Sequence, residues 1–278
     1  MKKSTKISGF NAGQFGDLVL NTVAARSLKE TRDDVFLSLG IAKKYAALAP
    51  LFFNHKYIDG IHVWEGYDDW PTPNDKEIIN DFDIVFNAMP PHYQNDNNWF
   101  TKRHQAAETC LMNGLPVPED LSCNLEVWFD IQTYEKTIAF APFAGWYNPN
   151  NDKKLTTEIA QKLVDAINKL GYSVLQLGGQ NEPCLKNVYR PNSSIFDAVR
   201  AMLGCKLLIH TDTFMGWAAS AYKFPQLGLY SNKYYIRNGE NYIKNIQPVN
   251  PNAQYLDADN ANNLNLDLIV ERIKSFGL

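Results

Sequence analysis

The sequence is short of several things, and each shortage closes off a class of protein. Of 278 residues only four are cysteine, at positions 110, 123, 184 and 205, with no Cys-x-x-Cys pair among them. A disulfide scaffold needs a small chain dense in cysteine, and a zinc site needs closely spaced ligands, so neither is expected. The five histidines, at 55, 62, 92, 104 and 210, are scattered without a His-x-x-x-His spacing, and no metal-ligand pattern emerges. Charge of one sign is lacking too: 27 basic against 30 acidic residues leave a net charge of −3. No overall basic field exists for gripping a nucleic-acid backbone, although a local basic groove stays open. No hydrophobic run approaches the ~20 residues that span a bilayer. The basic start Met1-Lys2-Lys3-Ser4-Thr5-Lys6 is followed by no apolar signal-peptide core. The expectation is a cytoplasmic protein with no membrane span.

What is present is a core. Hydrophobic residues make up 45% of the chain and aromatics 13%, which excludes disorder as the main state. The length suits two domains of ordinary size. Apolar runs at 6–10, 35–39, 61–64 and 83–87 read as buried strands, interleaved with helical spacing at Leu18, Leu20, Val23, Ala24 and Leu28 and again over 41–51. The rhythm then repeats: strand 137–141, helix 158–170 ending at Gly171, strand 173–177, helix 195–203, strand 207–210, helix 215–222, strand 226–230 and a last helix 266–276. Alternation of this kind argues for parallel βαβ units. The break falls in 130–136, giving an N-terminal domain of residues 1–132 and a C-terminal domain of residues 133–278, with the last helix able to pack back on the N-terminal domain. Asparagine-rich tracts at 148–151 and 260–263 read as turns and caps.

Four segments carry candidate chemistry, and each lies after a strand and before a helix, where open α/β sheets bind ligands. Gly13-Gln14-Phe15-Gly16-Asp17 lacks a Gly-x-Gly-x-x-Gly dinucleotide fingerprint. Its Asp17 is either a helix cap or a general base held at the end of a strand. Lys153, in Asn151-Asp152-Lys153-Lys154-Leu155-Thr156, is either half of a solvated lysine pair or a compact positive charge for a diphosphate. Gly178-Gly179-Gln180-Asn181-Glu182 is a plain turn or a loop whose Glu182 receives ribose hydroxyls. His210-Thr211-Asp212-Thr213-Phe214-Met215-Gly216-Trp217 holds an Asp or Thr cap, or hydroxyls and backbone N–H groups that cradle phosphate.

Taken in order, these motifs resemble those of glycosyltransferase family 9, the group typified by ADP-heptose:lipopolysaccharide heptosyltransferases. Gly16-Asp17-Leu18-Val19-Leu20-Asn21-Thr22 is similar to the family's opening Gly-Asp-(apolar)-(apolar)-x-x-Thr, and Lys153 falls where the family has Lys-x-Trp-Pro. Leu177-Gly178-Gly179-Gln180-Asn181-Glu182 is similar to Leu-Gly-Gly-Pro-x-Glu, and Asp212-Thr213 begins the family's Asp-Thr-Gly-x-x-His, here with Phe214 and Trp217 in place of the Gly and His. The resemblance implies an α/β chain of the GT-B fold, two Rossmann-like βαβ domains facing across a cleft. It implies a nucleoside diphosphate sugar as donor, with Lys153, Gly179, Glu182, Asp212, Thr213, Gly216 and Trp217 on the donor side and Asp17 as catalytic base. Transfer would go to a saccharide hydroxyl with inversion, with no cofactor and no metal.

Acceptor recognition is expected from the N-terminal half, at Gly16 and in the aromatic and basic stretch from Pro90 to His104, with His92, Lys102 and Arg103 as contacts; a surface loop is the plainer reading of that stretch. Trp64, Tyr67 and Trp70 suit either sugar faces or core packing. Three alternatives stay open: a GT-B enzyme that glycosylates a hydroxylated DNA base, a nucleotide-sugar epimerase, and a non-catalytic nucleotide-sugar-binding module. Nothing in the sequence fixes the oligomeric state.

Overall fold

The computed structural model describes residues 5–10, 15–64, 84–87, 103–143, 153–191, 193–237 and 239–278. The chain divides into two compact units, Met1–Trp128 and Phe129–Leu278. No helix among the described residues is long and apolar enough to cross a membrane.

The N-terminal unit runs through β1 (Thr5–Phe10), α1 (Phe15–Thr31), β2 (Val35–Ala42), a 3-10 helix (Lys43–Phe52), β3 (Gly60–Trp64), β4 (Ile84–Asn87) and α2 (Gln105–Met112). Its strands form a parallel sheet in the order β3-β2-β1-β4. The chain therefore starts in the middle of the sheet, builds outward to β3 on one flank, then crosses to β4 on the other. Helix α1 is buried on most of its circumference, with Leu18, Val19, Leu20, Thr22 and Val23 all at 2% exposure or less. One expectation fails here. The 41–51 stretch reads as a helix, but Ile41 and Ala42 continue β2 by pairing with Val63 and Trp64. The chain then enters a 3-10 helix with Pro50 inside it. Proline has no N–H to give to an α-helical ladder and its ring crowds the preceding turn, so the tighter helix prevails. Tyr67, Trp70, His92 and Lys102 lie outside the described residues.

The C-terminal unit contains β5 (Thr137–Ala141), α3 (Thr157–Lys169), β6 (Ser173–Gln176), α4 (Ile195–Leu203), β7 (Leu207–His210), α5 (Phe214–Ala221) and β8 (Gln226–Ser231). A 3-10 turn (Asn232–Tyr235), a short antiparallel pair β9 (Ile236–Arg237) and β10 (Glu240–Asn241), then β11 (Ala253–Ala258) and α6 (Leu266–Ser275) complete it. The main sheet is parallel in the order β11-β8-β7-β5-β6. Strands β7 and β8 are buried at every position and β5 at all but its first, as expected for a sheet covered on both faces. Helix α3 turns Ala160, Leu163, Val164 and Ile167 inward at helical spacing. Thr156 caps its start by accepting from the Ile159 N–H at 3.2 Å, and Gly171, at φ +87°, releases the chain at its end. Helix α6 buries Ile269 and Ile273 in this same C-terminal core.

Candidate functional site

Each sheet begins at a central strand and grows to both flanks, so each has a point where successive connections diverge. At the carboxyl ends of strands flanking such a point, open parallel sheets leave a crevice for ligands. In the C-terminal unit the point lies between β5 and β7. The segment after β5 carries Lys153, and the turn after β7 carries Asp212.

The structure brings these two together. Lys153 Nζ lies 2.6 Å from Asp212 Oδ2. The Tyr235 hydroxyl, arriving from the 3-10 turn after β8, donates to the same oxygen. Its ring lies 5.2 Å from the ammonium, within cation–π range. Burial by itself would raise the Asp212 pKa, but the charge and hydrogen bond of Lys153, with that of Tyr235, outweigh it and hold the carboxyl below its ordinary value. The segment that presents Lys153 is firmly seated. Leu155 is 1% exposed and its N–H donates to Pro142 O, while Asn262 accepts from the Thr156 N–H at 2.6 Å and donates to Lys154 O at 3.2 Å.

Thr213 occupies the N-cap of α5 but makes no capping bond through its side chain, and its buried hydroxyl has no hydrogen-bond partner. Gly216 and Trp217 are a different matter. Both are buried within α5, and a Cβ on Gly216 would sit 2.3 Å from Cε1 and 2.7 Å from Nδ1 of His210. Gly216 thus makes room for a fully buried imidazole, which pairs through Nδ1 with Thr211 O and which burial keeps neutral, with a pKa lowered to about 4. Gly216→Ala is expected to destabilise the protein by about 1–3 kcal/mol through overpacking. A thermal melt unchanged by the substitution would contradict this packing role.

The third loop, 178–182, leaves β6 at the same edge of the sheet. Gly179 is exposed, while the Glu182 carboxyl folds back on Gly178 so closely that a Cβ there would lie 1.8 Å from Oε2. Glu182 Oε2 is buried without a hydrogen-bond partner. Burial pushes the Glu182 pKa from 4.5 up to about 7, against the Gly179 N–H and the Arg190 charge, which hold it down. Two side chains brace the loop. Arg190 donates to the carbonyls of Glu182 and Gly179, and Gln176 donates to Pro183 O and accepts from the Leu185 N–H.

Because the Glu182 pKa is raised on folding, the folded state holds more proton than the unfolded one between pH 4.5 and about 7, and stability falls as pH rises through that window. Glu182→Gln removes this dependence. The melting temperature of the variant relative to wild type is expected to climb from pH 4.5 to about pH 8; a constant difference would contradict the raised pKa.

In the N-terminal sheet the point of divergence lies between β1 and β4. Gly16 and Asp17 follow β1, in the first turn of α1, so Asp17 lies inside the helix rather than at its cap. Gln105 Nε2, at the start of α2, donates to Asp17 Oδ1 at 3.3 Å. Arg103 is exposed and pairs with Glu108 at 3.1 Å. Among the described residues, no group of three or more His, Cys, Asp or Glu side chains is placed to hold a metal ion.

Sequence reasoning missed Tyr235, Arg190 and Gln105. Tyr235 left one faint signal, a Tyr pair just after a buried strand; Arg190 and Gln105 act from other segments and left none.

No family model matches the sequence, and no curated protein matches it. Solved structures do. A glycosyl transferase family 9 protein from Veillonella parvula is similar at a TM-score of 0.70 and 16% identity, covering 99% of this chain and 98% of that one. The ADP-heptose LPS heptosyltransferase II of E. coli is similar at 0.67 and 13%, with 98% of each chain covered. The E. coli heptosyltransferase WaaC, solved with ADP, is similar at 0.65 and 13%, covering 98% of this chain and 100% of that one. At this identity the likeness shows the fold, which is GT-B, an α/β architecture on parallel sheets.

Proposed function

We propose that the chain is a glycosyltransferase that moves a sugar from a nucleoside diphosphate sugar to an acceptor hydroxyl. The observation that carries this reading is the Lys153–Asp212–Tyr235 cluster at the point where the C-terminal sheet diverges. A lysine held at a strand's carboxyl end, beside a helix N-terminus whose Thr213 leaves its cap unmade, offers positive charge and N–H groups to a diphosphate. WaaC was solved with ADP and with ADP-2-deoxy-2-fluoro heptose, which favours a nucleotide-linked sugar as the donor here too.

The chemistry follows from the charges. Breaking the bond from the sugar to the diphosphate leaves oxocarbenium character on the sugar and negative charge on the departing oxygens. Lys153 and the N–H groups at the start of α5 stabilise that charge where it develops. This is the work a divalent cation does in other transferases, and it supports a metal-independent reaction. Glu182 takes the ribose hydroxyls, in a loop that Arg190 and Gln176 keep in shape. Asp17, oriented by Gln105, removes the acceptor proton as the new bond forms. Direct displacement by a single acceptor inverts the anomeric carbon. A saccharide of lipopolysaccharide type is the acceptor this reading favours, with Gly16, His92, Lys102 and Arg103 as its contacts.

Thermal-shift screening against ADP-, UDP-, GDP- and CDP-sugars tests the reading. A donor that binds the native state raises the melting temperature by mass action, and one of the four is expected to do so. No shift with any of them would contradict it. Turnover of a donor with no acceptor present would favour an epimerase instead.

A further inference from the structure

Resting on the nucleotide-sugar reading, we propose that Tyr235 is the positioning residue of the phosphate-binding lysine: it keeps Asp212 compensated when Lys153 leaves the carboxylate for an incoming diphosphate. Among the described residues, Lys153 and Tyr235 both donate to Oδ2 of the Asp212 side chain. Among the described residues, Asp212 also interacts with His210, neutral in its buried setting, and with Tyr230, whose own buried hydroxyl is kept protonated.

If Lys153 moved with nothing left behind, a largely buried carboxylate would stand uncompensated, a costly arrangement. The ammonium would then stay on Asp212 and the diphosphate would compete poorly for it. Tyr235 changes that balance in two ways. Its hydroxyl remains on the carboxylate, and its ring, 5.2 Å from the ammonium, gives Lys153 a surface to slide along rather than a bond to leave outright. Tyr235 itself is 2% exposed and so fixed in place by its packing. Lys153, with 24% of its side chain exposed, is the partner that can move.

The test is a double-mutant cycle read by calorimetric titration with ADP, UDP, GDP and CDP, on wild type, Tyr235→Phe, Asp212→Asn and the pair. For the tightest of the four nucleotides, Tyr235→Phe is expected to weaken binding about fivefold to tenfold at neutral pH. The deficit should shrink as the pH is lowered, because burial raises the pKa of an Asp212 that has lost its partners, and a protonated carboxyl needs no donor. In the Asp212→Asn background the effect should fall below about twofold, since a neutral amide needs no such compensation. Asp212→Asn alone should tighten binding about threefold or more, because it removes a negative charge from an anion site.

An equal loss from Tyr235→Phe in both backgrounds, or no loss in either, would overturn the proposal. Should Tyr235→Phe fail to fold, Asp212→Asn decides alone, and weaker binding there would overturn it. Wild type that binds none of the four nucleotides would sink the nucleotide reading itself, and this inference with it. That outcome is distinct from wild type binding well while Tyr235 proves irrelevant.

Discussion

Lys153→Ala is expected to weaken nucleoside diphosphate binding by roughly 100-fold, the largest effect of any single substitution in the C-terminal unit. Two costs combine. A charge-assisted hydrogen bond to phosphate is lost, worth about 1.5–3 kcal/mol. Asp212, 2.6 Å away in the intact protein, is left as a largely buried negative charge without its cation, beside the place proposed for the anion. The second cost makes the substitution worse than the loss of a surface lysine, which changes little. Lys153→Ala also removes charge stabilisation from the leaving group, so turnover should fall at saturating donor as well as below it. Calorimetry on the variant measures the first effect directly. A loss smaller than about threefold would mean that the diphosphate meets some other group.

Asp17→Asn is expected to lower turnover by about 100-fold or more while donor binding stays near that of wild type. Asparagine keeps the size of the side chain and its ability to accept from Gln105 Nε2, which holds Asp17 in place at 3.3 Å. What it loses is the capacity to take a proton. The signature is therefore a fall in kcat without a matching rise in donor KM, and with no change in melting temperature large enough to report misfolding. Full turnover by the variant would show that the acceptor proton leaves by another route. A fall in donor affinity of the same size would place Asp17 among the donor contacts instead.

Much of this architecture is legible in the residues because it is written in local patterns. Thr137–Ala141, Ile195–Leu203 and Leu207–His210 are short, apolar and bounded by turn or cap residues, and each appears in the structure with those limits. Lys153 and Asp212 also stand out, since both follow strands. Their pairing does not, because it depends on β5 and β7 being neighbours in the sheet, and no spacing along the chain encodes that. The same holds for Tyr235, which reaches Asp212 from the 3-10 turn after β8.

Gly216 illustrates the converse. A glycine near a helix start invites a phosphate reading, yet the space that it leaves is filled by the His210 ring. A missing side chain is visible in the sequence, whereas the group that occupies its place is not. Strand β11 escaped notice for a further reason: it is a flanking strand with a single buried residue, Leu256, so its apolar signal is weak.

The most direct test of the central claim is a crystal structure of the protein with the nucleoside diphosphate that stabilises it most. The account predicts phosphate oxygens within hydrogen-bonding distance of Lys153 Nζ, the ribose hydroxyls at Glu182, and the Tyr235 hydroxyl still on Asp212. A nucleotide lodged elsewhere, with Lys153 still bound to Asp212, would contradict it.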